Sequence, residues 1–420
     1  MGKVLIFIGA LVFCAHLFAT LFSRRRIPDV LFLVMIGIIV GPVLGWVTPD
    51  MFGELGMVFA SLTLVVILAD SGMDMHVLDL KKYWLGMVQV TTFSFLLSMV
   101  VASVVAHYMA GMNWISSILL SGMIAGTGAS IVIPMVKQMK VSEKTRTVLS
   151  LESAISAVLC IVVTLAILQG YSMGEVSYLA MVFKLLASLG VALILGVVGG
   201  LLWSGLLGRV RTLKNSMFLT PAFVIILYGI AEWMGYSGAI AALAFGIVLG
   251  NVDTLSQTWI YKPLQRWITP QPLKDNERSF IKEIVFLVKT FFFVYIGISI
   301  PFTDNISLLY GLAIAAALFV ARFILIAIVG HKNTRTDRLT VSIMIPKGLA
   351  AAVLAPLPKQ INMMLGREVI PYAERIECIV YAVIFFSIII CSLLVLLLRH
   401  RLIDEEYHPE EQPIEVYDYE

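Results

Sequence analysis

Six charged residues interrupt long apolar stretches of this chain: Asp70, Glu152, Lys184, Lys289, Arg322 and Lys347. An ionised side chain at bilayer depth costs about 3 kcal/mol on insertion scales. Residues held there pair with one another or line an ion or proton path. A carboxylate so placed binds a cation or carries a proton, and a lysine or arginine neutralises it or attracts an anion. Two acids stand against four bases, so the set cannot close into neutral pairs by itself. Asp70 lies near the end of its run, in Leu68-Ala69-Asp70-Ser71-Gly72, and reads either as an interfacial acid or as part of an ion site. Lys184, six residues into its run, is placed to snorkel to the interface. Lys289 lies deeper, which suits a core-pairing role.

The elements that must position these charges are membrane spans. The chain has 420 residues, of which 60% are hydrophobic and 14% charged, against about 25% charged in ordinary soluble domains. Its mean hydropathy is +0.95. The composition predicts an all-α polytopic membrane protein. Hydropathy predicts about 13 spans: 2–22, 29–47, 55–73, 84–111, 113–137, 147–170, 178–207, 215–234, 236–252, 279–300, 305–331, 338–357 and 373–398. The first run, 2–22, reads as a span rather than a cleaved leader. The fifth span is interrupted by Gly126-Thr127-Gly128-Ala129, and the twelfth by Pro346-Lys347-Gly348.

An odd span number permits two inverted halves. Residues 1–398 then form the membrane domain, with repeat one at 1–170, a linker helix at 178–207 and repeat two at 215–398. The two interrupted spans fall at corresponding places, the best sequence pointer to a transporter's midplane site. Of the 30 Lys and Arg residues, 22 lie in loops after odd-numbered spans or at the C-terminal end, four on the opposite side and four within spans. The positive-inside rule therefore puts the N-terminus outside and the C-terminus in the cytoplasm, as expected for a multi-pass protein of a cell inner membrane. The stretch 253–278 reads as interfacial on the cytoplasmic side, and 399–420 as a short acidic, solvated tail.

Cys14, Cys160, Cys378 and Cys391 are scattered through apolar runs and read as small buried hydrophobes. No metal site, cofactor or nucleic-acid signature is expected. HExxH, Walker A and GxSxG motifs are absent from the sequence, so an enzyme is not expected either.

The order of motifs carries a family resemblance. The runs Gly122 through Thr127-Gly128-Ala129, Lys140 to Arg146 and Leu151-Glu152-Ser153-Ala154-Ile155-Ser156-Ala157 resemble the monovalent cation:proton antiporter superfamily, in its sodium/proton exchanger branch. Arg26-Ile27-Pro28-Asp29, Gly41-Pro42, Ser237-Gly238, Gly250-Asn251, Phe291 to Phe293, Arg322 and Lys347-Gly348 fit the same pattern, so the likeness covers roughly residues 1–400. It implies two inverted repeats with crossing discontinuous helices, a homodimer, alternating access and transport of a monovalent cation and protons across the lipid bilayer. It implies an ion or proton site built from Glu152, Ser153, Ser156, Thr127 and Asp70. It also implies core charge pairing among Glu152, Arg322, Lys347 and Lys289, with Gly126, Gly128, Pro346 and Gly348 as the crossover backbone.

The departures from the pattern are specific. The family's fifth span carries Thr-Asp-Pro where this chain has Thr127-Gly128-Ala129, and its sixth span carries Asn-Asp where this chain has Ser156-Ala157. Three readings follow. The leading one is sodium or potassium:proton antiport through an atypical site without the usual aspartate. A second is a transporter of the same fold that couples an anion or other solute to protons, because the midplane would carry net positive charge. A third is a non-transporting sensor or partner subunit.

Overall fold

The computed structural model describes residues 9–17, 29–48, 53–75, 77–137, 141–173, 178–214, 216–256, 271–300, 304–329 and 334–406, with Met51, Met139 and Phe302. Arg26-Ile27-Pro28 of the family-like run, most of the interfacial stretch (257–270) and the tail from 407 lie outside the described residues.

The described residues are helical and contain no strand. Helix α1 is 9–17. Helix α2 is Asp29–Ile38, followed by a π-helical turn Ile39–Val43. Then come α3 Gly53–Met73, α4 Val77–Ala110, α5 Trp114–Ile124, α6 Ala129–Lys137, α7 Glu143–Met173 and α8 Tyr178–Val210. The second half holds α9 Leu219–Trp233, α10 Gly238–Gly250, α11 Val252–Ser256, α12 Asp275–Ser299 and α13 Asn305–Val329. It closes with α14 Arg335–Ile343, α15 Leu349–Leu354, α16 Leu357–Leu365 and α17 Ala373–Glu406. Helix α17 runs eight residues into the stretch read as tail.

Among the described residues, six stretches are long and apolar enough to cross a membrane: 91–110, 143–168, 190–210, 216–233, 305–328 and 373–398. Shorter apolar helices fill the gaps between them. Many side chains on the long stretches are apolar and exposed, such as Phe93, Val100, Leu193 and Ile328. This is the pattern of helices whose outer faces meet lipid tails rather than water.

The helices pack as two bundles. In one, α2, α3, α8, α9, α10 and α12 lie together. In the other, α4, α5, α6, α7, α13, α14, α15 and α17 lie together. Lipid supplies no hydrophobic force between helices, so close backbone approach at small residues carries much of the packing. At Gly246 of α10, a Cβ would fall 2.0 Å from the Ala69 carbonyl oxygen of α3, so only glycine allows that crossing. Asn251, just past α10, donates from Nδ2 to the Met75 and Ile247 carbonyls at 2.7 Å each and ties the ends of α10 and α3 together.

Candidate functional site

The fifth and twelfth spans are each two half-helices with an extended break between them. Residues 125–128 separate α5 from α6, and 344–348 separate α14 from α15. Sequence explains both breaks. Gly126 and Gly128 weaken helix continuation. Pro346 removes a backbone donor and pushes Ile345 out of helical geometry. Breaking a helix in the bilayer exposes backbone groups that must find partners inside the protein. Four of the freed N–H groups do so here. Gly126 N donates to Cys160 Sγ at 3.0 Å, Thr127 N to Ser156 Oγ at 3.1 Å, Gly128 N to the Pro346 carbonyl at 2.7 Å and Lys347 N to Ser387 Oγ at 2.9 Å. Cys160 is therefore more than a buried hydrophobe: its sulfur caps the end of α5 against α7.

The two breaks cross in direct contact. A Cβ on Gly128 would lie 2.8 Å from Gly348 Cα, and one on Gly348 would lie 2.6 Å from Gly128 Cα. Lys347 is only 1% exposed. Its ammonium donates to the Gly126 and Ala125 carbonyls at 3.1 and 3.3 Å. Those carbonyls follow the C-terminal end of α5, where the helix dipole favours a cation. Where the resemblance would put a carboxylate partner at 128, Lys347 instead meets backbone oxygens two and three residues earlier.

Glu152 on α7 and Arg322 on α13 are buried together, each side chain 3% exposed. Arg322 Nη1 lies 2.7 Å from Glu152 Oε1, and Nη2 donates to Oε2 at 2.8 Å. Nε donates to the Val341 carbonyl at 3.3 Å and Nη1 also reaches Ser94 Oγ. The guanidinium thus joins α4, α7, α13 and α14 at the point where α14 ends. Ser94 was not among the residues singled out from sequence, since a lone serine on a long apolar helix carries no signal of its own.

Ser156 and Thr127 hydroxyl oxygens lie 3.2 Å apart. Ser153 is buried, with its hydroxyl donating to the Ser150 carbonyl at 2.9 Å and its own carbonyl accepting from Ser156 at 3.3 Å. Beside this pair a cavity opens between the two bundles, with about 540 Å³ of space unfilled by protein atoms, part of it continuous with solvent. Leu64, Ile67, Leu68 and Ser71 of α3 and Leu243 of α10 form one wall. Thr127, Gly128, Ala157, Cys160 and the first residues of α15 form the other. Ala157 lines this cavity, and among the described residues that line it none is acidic.

The remaining sequence candidates fall around this centre. Asp70 is half-buried on α3, adjacent in sequence to the cavity-lining Ser71. Lys289 is half-buried on α12, within the bundle that holds α2 and α3, whereas Glu152, Arg322 and Lys347 belong to the other bundle. The side chain of Lys184 lies outside the described residues.

Comparison with known proteins agrees with this architecture. The family model described as sodium/hydrogen exchanger, transmembrane, matches residues 10–400. Na(+)/H(+) antiporter 1 of Methanocaldococcus jannaschii is 22% identical, over 88% of this chain and 85% of that protein. K(+)/H(+) antiporter NhaP2 of Shewanella baltica is 25% identical over 64% of this chain, a match that spans 50% of the relative's length. The solved structure of the sodium proton antiporter MjNhaP1 from M. jannaschii at pH 8 superposes with a TM-score of 0.73 at 20% identity, covering 93% of this chain and 99% of that one. An electron-microscopy structure of the same antiporter gives 0.75, covering 98% and 100%. With the family matched along nearly its whole length and the fold shared, this chain belongs to the transmembrane sodium/hydrogen exchanger family.

Proposed function

We propose that the chain is a secondary transporter that exchanges a monovalent cation, sodium or potassium, for protons. The cavity between the bundles would open alternately to the two sides of the membrane. The observation that carries this reading is the crossing of two broken helices at the wall of that cavity, with the Thr127 and Ser156 hydroxyls side by side at its edge. The antiporters named among the relatives support the same reaction class.

In this reading Thr127, Ser153, Ser156 and nearby backbone carbonyls offer the oxygen ligands a hard cation needs. Asp70 would supply negative charge from beside the wall residue Ser71, and Glu152 from a helical turn before Ser156. The usual carboxylate is missing, since Ala157 and Gly128 stand in its place. The matching positions of the two breaks support inverted repeats 1–170 and 215–398 around the linker 178–207. A homodimer in a cell inner membrane, with its N-terminus outside and its C-terminus cytoplasmic, completes the reading.

One observation favours anion transport as a second reading. Among the described residues the cavity lining includes no acid, the half-helices α6 and α15 start at its wall, and Lys347 lies just behind. Half-helix N-termini and a buried cation together favour negative charge.

Purified protein in proteoliposomes with a preset pH gradient separates the two. Proton flux evoked by sodium, potassium or lithium supports antiport. Flux evoked only by chloride or small carboxylates supports the anion reading. Silence with every ion from folded protein contradicts both and leaves a sensor or partner role.

A further inference from the structure

Helix α16 lies between the half-helix α15 and the long α17, at the end of the molecule that also holds the α4–α5 turn. Its sequence is Leu-Pro-Lys-Gln-Ile-Asn-Met-Met-Leu, and it exposes its apolar end: Met363 is 65% exposed, Met364 79% and Leu365 46%. Three adjacent large apolar side chains at a helix tip are unfavourable in water.

This tip is held out rather than frayed. Asn362 clasps the returning chain: its Oδ1 accepts from Val369 N and Ile370 N at 3.0 and 2.9 Å, and its Nδ2 donates to the Ile370 carbonyl at 2.9 Å. Ile370 itself is fully buried. Gly366 caps the helix in the left-handed conformation, with φ of 61°, which glycine adopts without strain. At the other end Pro356 and Pro358 start the helix, and Lys359 Nζ meets Glu374 Oε1 at 3.5 Å.

The surface beside α16 has the composition of a membrane interface. Ser116 of α5 donates from its hydroxyl to the Pro371 carbonyl at 3.2 Å and so brings Trp114 and Ile115 close to this segment. Trp114 is 47% exposed, Ile115 55% and Tyr372 37%. Exposed Trp and Tyr at span ends mark the headgroup level of a bilayer.

We propose that α16 is an interfacial anchor whose Met363–Leu365 tip is seated in the lipid of the adjoining leaflet. The occupant of the exposed face is the bilayer, because the exposed aromatics Trp114 and Tyr372 lie at the same end of the molecule, joined there by the Ser116–Pro371 contact. Short amphipathic helices with apolar side chains on one face bind membranes in this way. Helix α16 is joined directly to α15, so the anchor fixes the depth of the half-helix that meets the cavity.

The test places a nitroxide spin label at Met364→Cys in the full-length protein, in phosphatidylethanolamine–phosphatidylglycerol vesicles, with Cys14 and Cys378 replaced by serine. Oxygen partitions into lipid, whereas a nickel chelate stays in water. Collision with oxygen several-fold above collision with the nickel chelate is the result expected. The reverse ratio, a tip in water, overturns the proposal. Low collision with both, a tip buried against a second copy or another protein, overturns it too. Met363→Cys provides an independent second site, and each labelled protein is compared with its unlabelled parent for elution and unfolding midpoint.

Discussion

Gly128 and Gly348 meet backbone to backbone where the broken helices cross. A Cβ on Gly128 would fall 2.8 Å from Gly348 Cα and 3.0 Å from its nitrogen. Since the atoms met are backbone, relief requires the breaks to separate and the Gly128 N–H to leave the Pro346 carbonyl. Gly128→Ala is expected to lower stability by about 1–3 kcal/mol, the usual cost of overpacking. Gly128→Asp, which restores the resembling family's residue, is expected to cost more. Ala157→Asp projects into the cavity instead and is expected to be tolerated better. Thermal unfolding of the three variants in one detergent checks the order.

The Glu152–Arg322 pair is dry, with both side chains 3% exposed. Removing one partner of such a pair costs about 3–5 kcal/mol, because it strands a buried charge. Arg322→Met is expected to show that loss, since Glu152, Ser94 and the Val341 carbonyl all lose their donor. Glu152→Leu combined with Arg322→Leu is expected to recover part of it. A double-mutant cycle on unfolding midpoints reads the coupling.

Lys347 satisfies two carbonyls at the end of α5. Lys347→Met leaves the Ala125 and Gly126 oxygens without that donor, at a cost of about 1–3 kcal/mol for a buried polar group. Lys347→Arg is expected to fail as well, because a planar fork does not fit a site shaped for a compact ammonium. Limited proteolysis and unfolding midpoints of the two variants measure the loosening.

At the start of α12, ahead of its membrane stretch, Arg211 meets Glu277 at 2.8 Å through Nε and again through Nη2. The hydrogen bond from Arg211 holds the Glu277 carboxyl below its ordinary range. A carboxyl lowered in the folded state stabilises the fold above its unfolded value, about 4.3. That contribution is lost as pH falls through the lowered folded value. Wild-type protein is therefore expected to lose this increment below about pH 4, while Glu277→Gln lacks it at neutral pH and shows a flatter acid limb. Unfolding midpoints between neutral and acid pH distinguish the two curves.

Much of this was legible in the sequence. Gly126-Thr127-Gly128 and Pro346-Lys347-Gly348 mark the breaks because glycine and proline act on the backbone locally, wherever the helix packs. The partners of those breaks were not legible. Cys160, Ser94 and Ser387 serve groups that lie from 34 to 228 residues away in the chain, and a lone polar residue on an apolar helix does not announce its contact. Depth reads Lys289 as a core charge but does not say which bundle its helix joins; α12 packs with α2 and α3. Helix α16 fell in the gap between the spans 338–357 and 373–398, where hydropathy alone marks no element.

The most direct measurement is proton flux in proteoliposomes for the unsubstituted protein and Ala157→Phe, with sodium, potassium and lithium added in turn. Cation-evoked flux in the first, absent in a folded Ala157→Phe whose ring projects into the cavity beside Thr127, is the result this account predicts. Equal flux in both proteins would place transport elsewhere than the cavity, and no cation-evoked flux in the unsubstituted protein would contradict cation:proton antiport itself.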